Sequence, residues 1–271
     1  MSTDQTPSEA VSGFHQDERA AHLLDLLARQ SSASLAEMQA VTGASLPTLR
    51  RDLTALEQQG LLQRVRGGAR MVTRSSPLDE TWDLRRRRNA SAKGAVAIAA
   101  AKLVTSRMSI FLPDGTSAFA VAEELRRLGR PLSIATTGLY AARCLAGVPG
   151  IDLTVLGGQL RDASYGMVGP LTRLALETLR ADIAFITADA LDETGPIDNN
   201  SLDAEVARVM SANAARTVVL ADSSKIGPGG AVRVFGWHEV DDLIIDGTPA
   251  GIADALEETG VRVTVAPRLS G

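Results

Sequence analysis

The sequence predicts an α/β protein: a large parallel-sheet domain preceded by a small helical one. Three observations carry this. From Ser91 onward, strand-like runs alternate with helical stretches, the pattern of parallel strands joined by crossover helices. Those runs are almost continuously apolar, as expected when both faces of a sheet are covered. Ahead of them, three short helical stretches are broken by a glycine turn and followed by a hairpin pattern.

Taken in order, residues 1–16 are small and polar and read as a flexible tail. A helix over 17–30 has Asp17 and Glu18 in its first turn and an apolar stripe of Leu23, Leu24, Leu26 and Leu27. A second starts near Ser34, with Glu37 completing a capping box and Leu35, Met38 and Val41 in helical phase. Thr42-Gly43-Ala44 makes the turn. The third helix, 45–59, sets Leu46, Leu49, Leu53 and Leu56 toward a core, with Pro47 in its first turn and Gly60 ending it. Residues 61–72 read as two short strands about Gly67-Gly68, and 75–90 as a connector ending in four solvated arginines, Arg85 to Arg88. In the large domain, 91–271, strands are expected at 108–113, 132–136, 153–156, 183–187, 217–221, 243–246 and 261–265. Helices are expected around 92–105, 117–128, 138–146, 169–180, 202–214 and 250–259.

Composition narrows the class. The chain has 271 residues, 45% hydrophobic and 22% charged with net charge -4, which excludes collagen-like, coiled-coil and largely disordered chains. One cysteine, Cys144, cannot form an internal disulfide. No apolar run approaches the ~20 residues of a membrane span, and the first twenty residues carry no signal-peptide core. A soluble, cytoplasmic protein is expected. Charge is uneven: between residues 45 and 74 Arg50, Arg51, Arg64, Arg66, Arg70 and Arg74 face only Asp52 and Glu57. Lysine is rare, with only Lys93, Lys102 and Lys225.

Three short helices, a glycine turn and a basic hairpin describe a winged helix-turn-helix. Its third helix enters the major groove and presents its N-terminal residues to base edges. Here those are Ser45, Pro47, Thr48, Arg50 and Arg51, and one of the two arginines is placed to read a guanine. Arg64, Arg66 and Arg70 on the hairpin are phosphate contacts, with Gly67 at the tip allowing close approach. Double-stranded DNA is the expected partner.

In the large domain, polar and glycine clusters fall at expected carboxyl ends of strands, where parallel sheets bind ligands. They are Asp114-Gly115-Thr116-Ser117, Thr136-Thr137, Gly157-Gly158, Asp189, and Asp222-Ser223-Ser224-Lys225. Glycines there admit a ligand to backbone N–H groups, hydroxyls suit phosphate, and Lys225 supplies a point charge. Catalysis is not expected. Asp114, Asp189, Glu205 and Lys225 are the available acid–base groups, His15, His22 and His238 lie outside the clusters, and no triad or metal-ligand spacing appears. No metal or cofactor is implied.

The run Ser45-Leu46-Pro47-Thr48-Leu49-Arg50-Arg51-Asp52-Leu53, then Leu56-Glu57 and Gly60, then Gly67-Gly68-Ala69, resembles the DeoR family of bacterial transcriptional regulators. The large domain is similar to that family's sensor at Asn89, Lys93, Asp114 to Ser117, Leu156-Gly157-Gly158, Ser164, Gly166, Ala181-Asp182, Phe185-Ile186 and Leu220 to Lys225. The resemblance implies a Rossmann-like sensor related to sugar-phosphate isomerases and CoA transferases. It also implies a phosphorylated-sugar or polyol effector, a homo-oligomer (dimer or tetramer) and, more often than not, repression of carbohydrate genes. It adds Gly166 and Glu205 to the effector residues. Three departures stand out. Thr136-Thr137 replaces Thr-Asn, Ala188 and Ala190 replace glycines around Asp189, and Ala207 replaces a lysine, changes expected to shrink and decharge the site. A regulator with a degenerate or non-sugar sensor is the alternative, and a sugar-phosphate isomerase-like enzyme a more remote one.

Overall fold

The chain forms two compact units, Met1–Glu80 and Thr81–Gly271. The computed structural model describes residues 16–30, 32–58, 62–65, 67–71 and 82–267; the expected tail up to residue 15, Arg66, Arg74 and the first part of the connector lie outside them.

The first unit runs α1 (Gln16–Gln30), β1 (Ser32–Ser34), α2 (Leu35–Thr42), α3 (Leu46–Gln58), β2 (Leu62–Val65) and β3 (Gly68–Met71). Leu23, Leu24 and Leu27 of α1 are buried with Met38 of α2 and Leu49, Leu53 and Leu56 of α3. Val41 and Leu46 depart from expectation. They occupy terminal turns of their helices and are 42% and 40% exposed. The capping box forms: Glu37 N–H donates to Ser34 Oγ at 3.3 Å, and Ser34 N–H to Glu37 Oε2 at 2.7 Å. Asp52 turns inward, where Arg19 Nε donates to it at 3.0 Å and ties α3 to α1. The strands pair antiparallel in the order β1-β3-β2. A Cβ on Gly68 would stand 2.2 Å from the Ala33 carbonyl oxygen, so glycine is what lets β1 lie against β3.

The second unit opens with α4 (Trp82–Arg87) and α5 (Ala90–Ala101). Residues 82–87 were expected in a solvated connector. They are helical because Trp82 and Leu84 are buried. The units that follow are β4 (Ser109–Leu112), α6 (Thr116–Leu128), β5 (Leu132–Thr136), α7 (Leu139–Leu145), β6 (Ile151–Val155), β7 (Gln159–Arg161), β8 (Gly166–Val168) and α8 (Pro170–Glu177). Then come β9 (Ile183–Thr187), β10 (Ala190–Asp192), β11 (Gly195–Asp198), α9 (Ser201–Ala212), β12 (Thr217–Ala221), β13 (Val232–Arg233), β14 (Asp242–Ile245), α10 (Ala253–Thr259) and β15 (Arg262–Val265).

Seven of these strands form one parallel sheet in the order β15-β14-β12-β9-β4-β5-β6. Neighbouring strand residues point to opposite faces, and both faces are apolar. Ile110, Leu112, Ile183, Phe185, Val218 and Leu220 pack with α5, α6 and α7. Phe111, Ala184, Ile186, Val219 and Ala221 pack on the other side with α8, α9 and α10. The chain walks outward from β4 through β5 to β6, then returns to β9 on the other side of β4. Strand order therefore reverses between β4 and β9, which marks the ligand-binding edge of an open α/β sheet. Two antiparallel additions, β7-β8 and β10-β11-β13, were not expected.

Candidate functional site

On the first unit, α3 presents the expected reading residues. Ser45, Pro47, Arg50 and Arg51 are exposed and Thr48 is half-buried. Ser45 Oγ accepts from Thr48 N–H at 3.4 Å and lies 2.9 Å from Thr48 Oγ1, so this pair closes the first turn of the helix. Among the described residues neither Arg50 nor Arg51 has a carboxylate partner. Arg64 Nη1 donates to Thr54 Oγ1 at 2.8 Å, and Arg70 donates to Gln63 Oε1 at 2.7 and 2.9 Å. Both wing arginines are thus steered by neutral acceptors and keep their full charge. Of the two carboxylates in this stretch, Asp52 is neutralised by Arg19, and Glu57 accepts from the Arg64 backbone at 2.8 Å. The exposed face is left cationic. Gly67 is at the hairpin tip, and Arg66 lies outside the described residues.

On the second unit, the switch point gathers Asp114 to Ser117 after β4, Thr136-Thr137 after β5, Asp189 after β9 and Asp222 to Lys225 after β12. Asp114 rests against Gly166: a Cβ there would lie 2.4 Å from Asp114 Cγ. Gly138 N–H donates to Thr136 Oγ1 at 3.1 Å, while the fully buried Thr137 hydroxyl has no hydrogen-bond partner among the described residues. Asp189 accepts from Asn199 N–H at 3.2 Å and Nδ2 at 2.9 Å. Lys225 Nζ donates to the Ala188 carbonyl; burial lowers its pKa, against the pull of Asp222 and Asp189.

Several residues at this edge were not among those expected to bind the effector. Asp198 and Asp203 lie close enough to each other, to Asp114 and to Asp189 to feel their charges. Burial first, then the neighbouring charges, pushes Asp198 up to about 7 and Asp203 to about 8. Arg161 Nε lies 3.2 Å from Asp203 Oδ2 and partly offsets this. Arg85 of α4 brings Nη2 to 4.0 Å from Asp189 Oδ1. Asn89 Nδ2 donates to Asp222 Oδ1 at 2.8 Å and to Ser224 Oγ at 2.9 Å. Lys93 donates to the carbonyls of Arg85 and Arg88, and burial lowers its pKa to about 8. The Asp-Asn-Asn run at 198–200 was the available signal, since Asn200 caps α9 by accepting from Leu202 and Asp203 N–H.

Three expected residues are placed elsewhere. Glu205 is two positions from Asp203 on α9, roughly 200° around the helix, and pairs with Arg173 at 3.2 Å instead. Gly157 and Gly158 follow the edge strand β6. Gly157 accepts from Thr172 Oγ1 at 2.8 Å, and a Cβ on Gly158 would stand 2.0 Å from that oxygen, so both seat α8. Of the alanines that stand for glycine around Asp189, Ala188 packs in the apolar core and Ala190 is buried. Ala207 is core as well.

No helix of the described residues is long and apolar enough to cross a membrane. Residues 19–75 match the DeoR-like helix-turn-helix domain, and residues 88–247 match the DeoR C terminal sensor domain. The putative aga operon transcriptional repressor of Escherichia coli O157:H7 is 30% identical over 264 residues, covering 96% of this chain and 97% of its own. The HTH-type transcriptional regulator GolR of Listeria innocua serovar 6a is 31% identical over 234 residues, covering 86% and 90%. The glycerol-3-phosphate regulon repressor of Haemophilus influenzae is 29% identical over 252 residues, covering 92% and 97%. Among solved structures, ribose 5-phosphate isomerase A from Methanocaldococcus jannaschii aligns over 51% of this chain and 55% of its own, at 26% identity and a TM-score of 0.39.

Proposed function

The chain belongs to the DeoR family of transcriptional regulators, and from that premise we propose how it reads DNA and what controls it. It is a DNA-binding regulator rather than an enzyme. Ser45, Pro47, Thr48, Arg50 and Arg51 meet base edges in the major groove, while Arg64, Arg66, Gly67 and Arg70 of the wing hold the phosphate backbone. It acts in the cytoplasm as a homo-oligomer, a dimer or tetramer, that sets recognition helices on successive half-sites. It represses carbohydrate genes until a phosphorylated sugar or polyol binds the second unit.

The observation that carries the effector reading is the convergence of Asp114 to Ser117, Thr136-Thr137, Gly166, Asp189 and Lys225 on the β4–β9 switch point. Carboxylates there accept from ligand hydroxyls, and cations and backbone N–H groups take a phosphoryl group. A thermal-shift panel pairing phosphorylated sugars and polyols with their unphosphorylated counterparts tests it. A ligand at a hundred times its dissociation constant adds ~2.7 kcal/mol, or roughly 5–10 °C for a unit of this size. Shifts from unphosphorylated members alone would overturn the phosphoryl assignment.

A further inference from the structure

Of the four arginines at 85–88, Arg86, Arg87 and Arg88 are exposed as expected, while Arg85 is half-buried. α4 is pinned on two sides. On one, Trp82 stacks on Tyr140 with ring centroids 3.6 Å apart and meets Phe119 edge-on at 5.3 Å. Tyr165 adds a further edge contact to Tyr140 at 5.1 Å, and the Arg86 guanidinium covers Phe119 at 5.0 Å. On the other side, Lys93 donates to the Arg85 and Arg88 carbonyls, and Thr116 Oγ1 lies 3.5 Å from the Arg85 carbonyl.

This double pinning aims the Arg85 side chain at the switch point. Its Nη2 is 4.0 Å from Asp189 and 4.0 Å from where a Cβ on Gly115 would stand; Thr187 Oγ1 is 3.9 Å from that same point. At 4.0 Å the pair with Asp189 is electrostatic without a hydrogen bond. Among the described residues the guanidinium makes no hydrogen bond. Asp189 does not close the gap, because Asn199 holds it with two hydrogen bonds. Lys93 and Lys225, by contrast, already donate to carbonyls. Arg85 is therefore a cation whose planar donor fork is poised but unfilled, 27% exposed and beside a residue with no side chain.

We propose that Arg85 is an anion-binding residue of the effector site, and that a phosphoryl group takes its guanidinium from Asp189. This rests on the effector reading above. A phosphoryl group offers three acceptor oxygens and fits the fork bidentately, which Asp189 at its tethered distance does not.

The test is isothermal titration of the full chain with inorganic phosphate. The wild-type chain binds, Arg85→Gln binds at least ~10-fold more weakly, and Arg87→Gln, a neighbouring exposed charge, binds as wild type. Asp189→Asn, which removes the competing carboxylate, binds several-fold more tightly. Thermal unfolding within ~2 °C of wild type certifies the fold of each variant; if Arg85→Gln fails that check, Arg85→Lys, which keeps the charge and loses the fork, decides by its weakened binding. Equal affinity in wild type and Arg85→Gln overturns the role of Arg85 while leaving the effector site in place. Equal loss in Arg85→Gln and Arg87→Gln also overturns it, as a nonspecific charge effect. No phosphate binding by wild type overturns the proposal, and a panel response confined to unphosphorylated compounds would show that the effector reading had failed with it.

Discussion

Replacing Gly68 with alanine separates two roles that a glycine pair in a DNA-binding wing can have. If both glycines serve only backbone approach to DNA, Gly67→Ala and Gly68→Ala should leave the fold equally stable. The geometry predicts otherwise. A Cβ at Gly67 meets nothing within 4 Å, and its cost is the positive φ of 86°, about 1–2 kcal/mol. A Cβ at Gly68 lands 2.2 Å from Ala33 O and 3.0 Å from Ser34 Cα, both backbone atoms. β1 must then leave β3, losing the Ser32–Arg70, Ala33–Ala69 and Ser34–Gly68 register and the bond from Leu35 N–H to Gly67 O. At about 1 kcal/mol net per hydrogen bond, with buried Ala33 and Ala69 uncovered, the loss is about 2–4 kcal/mol. A domain of this size has only about 3–10 kcal/mol in all, so its Tm should fall by roughly 10–30 °C. Differential scanning calorimetry of the full chain would read this in the transition of the first unit, with that of the second unmoved. Equal Tm values for the two variants would refute the steric argument.

Other expectations are sharper about function and charge. Arg50→Ala and Arg51→Ala should each weaken operator binding; the base reader loses ~1–3 kcal/mol with relaxed preference at one position, and the phosphate contact flattens the salt dependence by about one charge. Unchanged binding in both would remove α3 as the reading helix. Asp198 and Asp203 titrate at about 7 and about 8 in the folded chain, above the carboxylate's ordinary 3.8. Between those values the folded state holds protons that the unfolded chain has released, so stability should fall as pH rises from about 4 to about 8. Lys93 reverses the sign above that: its pKa of about 8 lies below 10.5, so stability should climb again toward pH 10.5. Denaturant unfolding across pH checks both slopes, and Asp203→Asn should flatten the first. Phe185→Ala, at a fully buried position on the central strand β9, should cost the second unit about 3–5 kcal/mol; a loss below 1 kcal/mol by the same method would contradict its burial.

What the sequence revealed and what it hid divides along the range of the interactions. The Ser34–Glu37 capping box, the turn at Gly43 and the strands of the large sheet are each set by residues within one element, so local pattern finds them. α4 is hidden because its helix depends on Trp82 meeting Tyr140, far along the chain, while Arg85 to Arg88 alone look like solvated charge. β1 carries only Ser-Ala-Ser, with no strand preference of its own, and exists because Gly68 gives it an edge to join. Asp203 and Glu205 show the limit for the site: both are acidic and both lie in the same segment, and only the rotation of α9 decides which one reaches the switch point. Leu46 was in phase with the core, yet its place in the first turn leaves it outside.

The return of β9 to the inner side of β4 has a consequence for synthesis on the ribosome. β5 can pair with β4 soon after it emerges, but the other flank of β4 waits for a strand whose approach is fixed by Ser109 N–H donating to Asp182, 73 residues away. At ~5–20 residues per second, that flank of the nascent chain stays unpaired for roughly 4–15 s. During that interval Ile110 and Phe111 sit on an open strand edge able to pair with other chains. Slow codons between Leu139 and Asp182 would lengthen the exposure and lower soluble yield, without changing a single residue of the finished regulator.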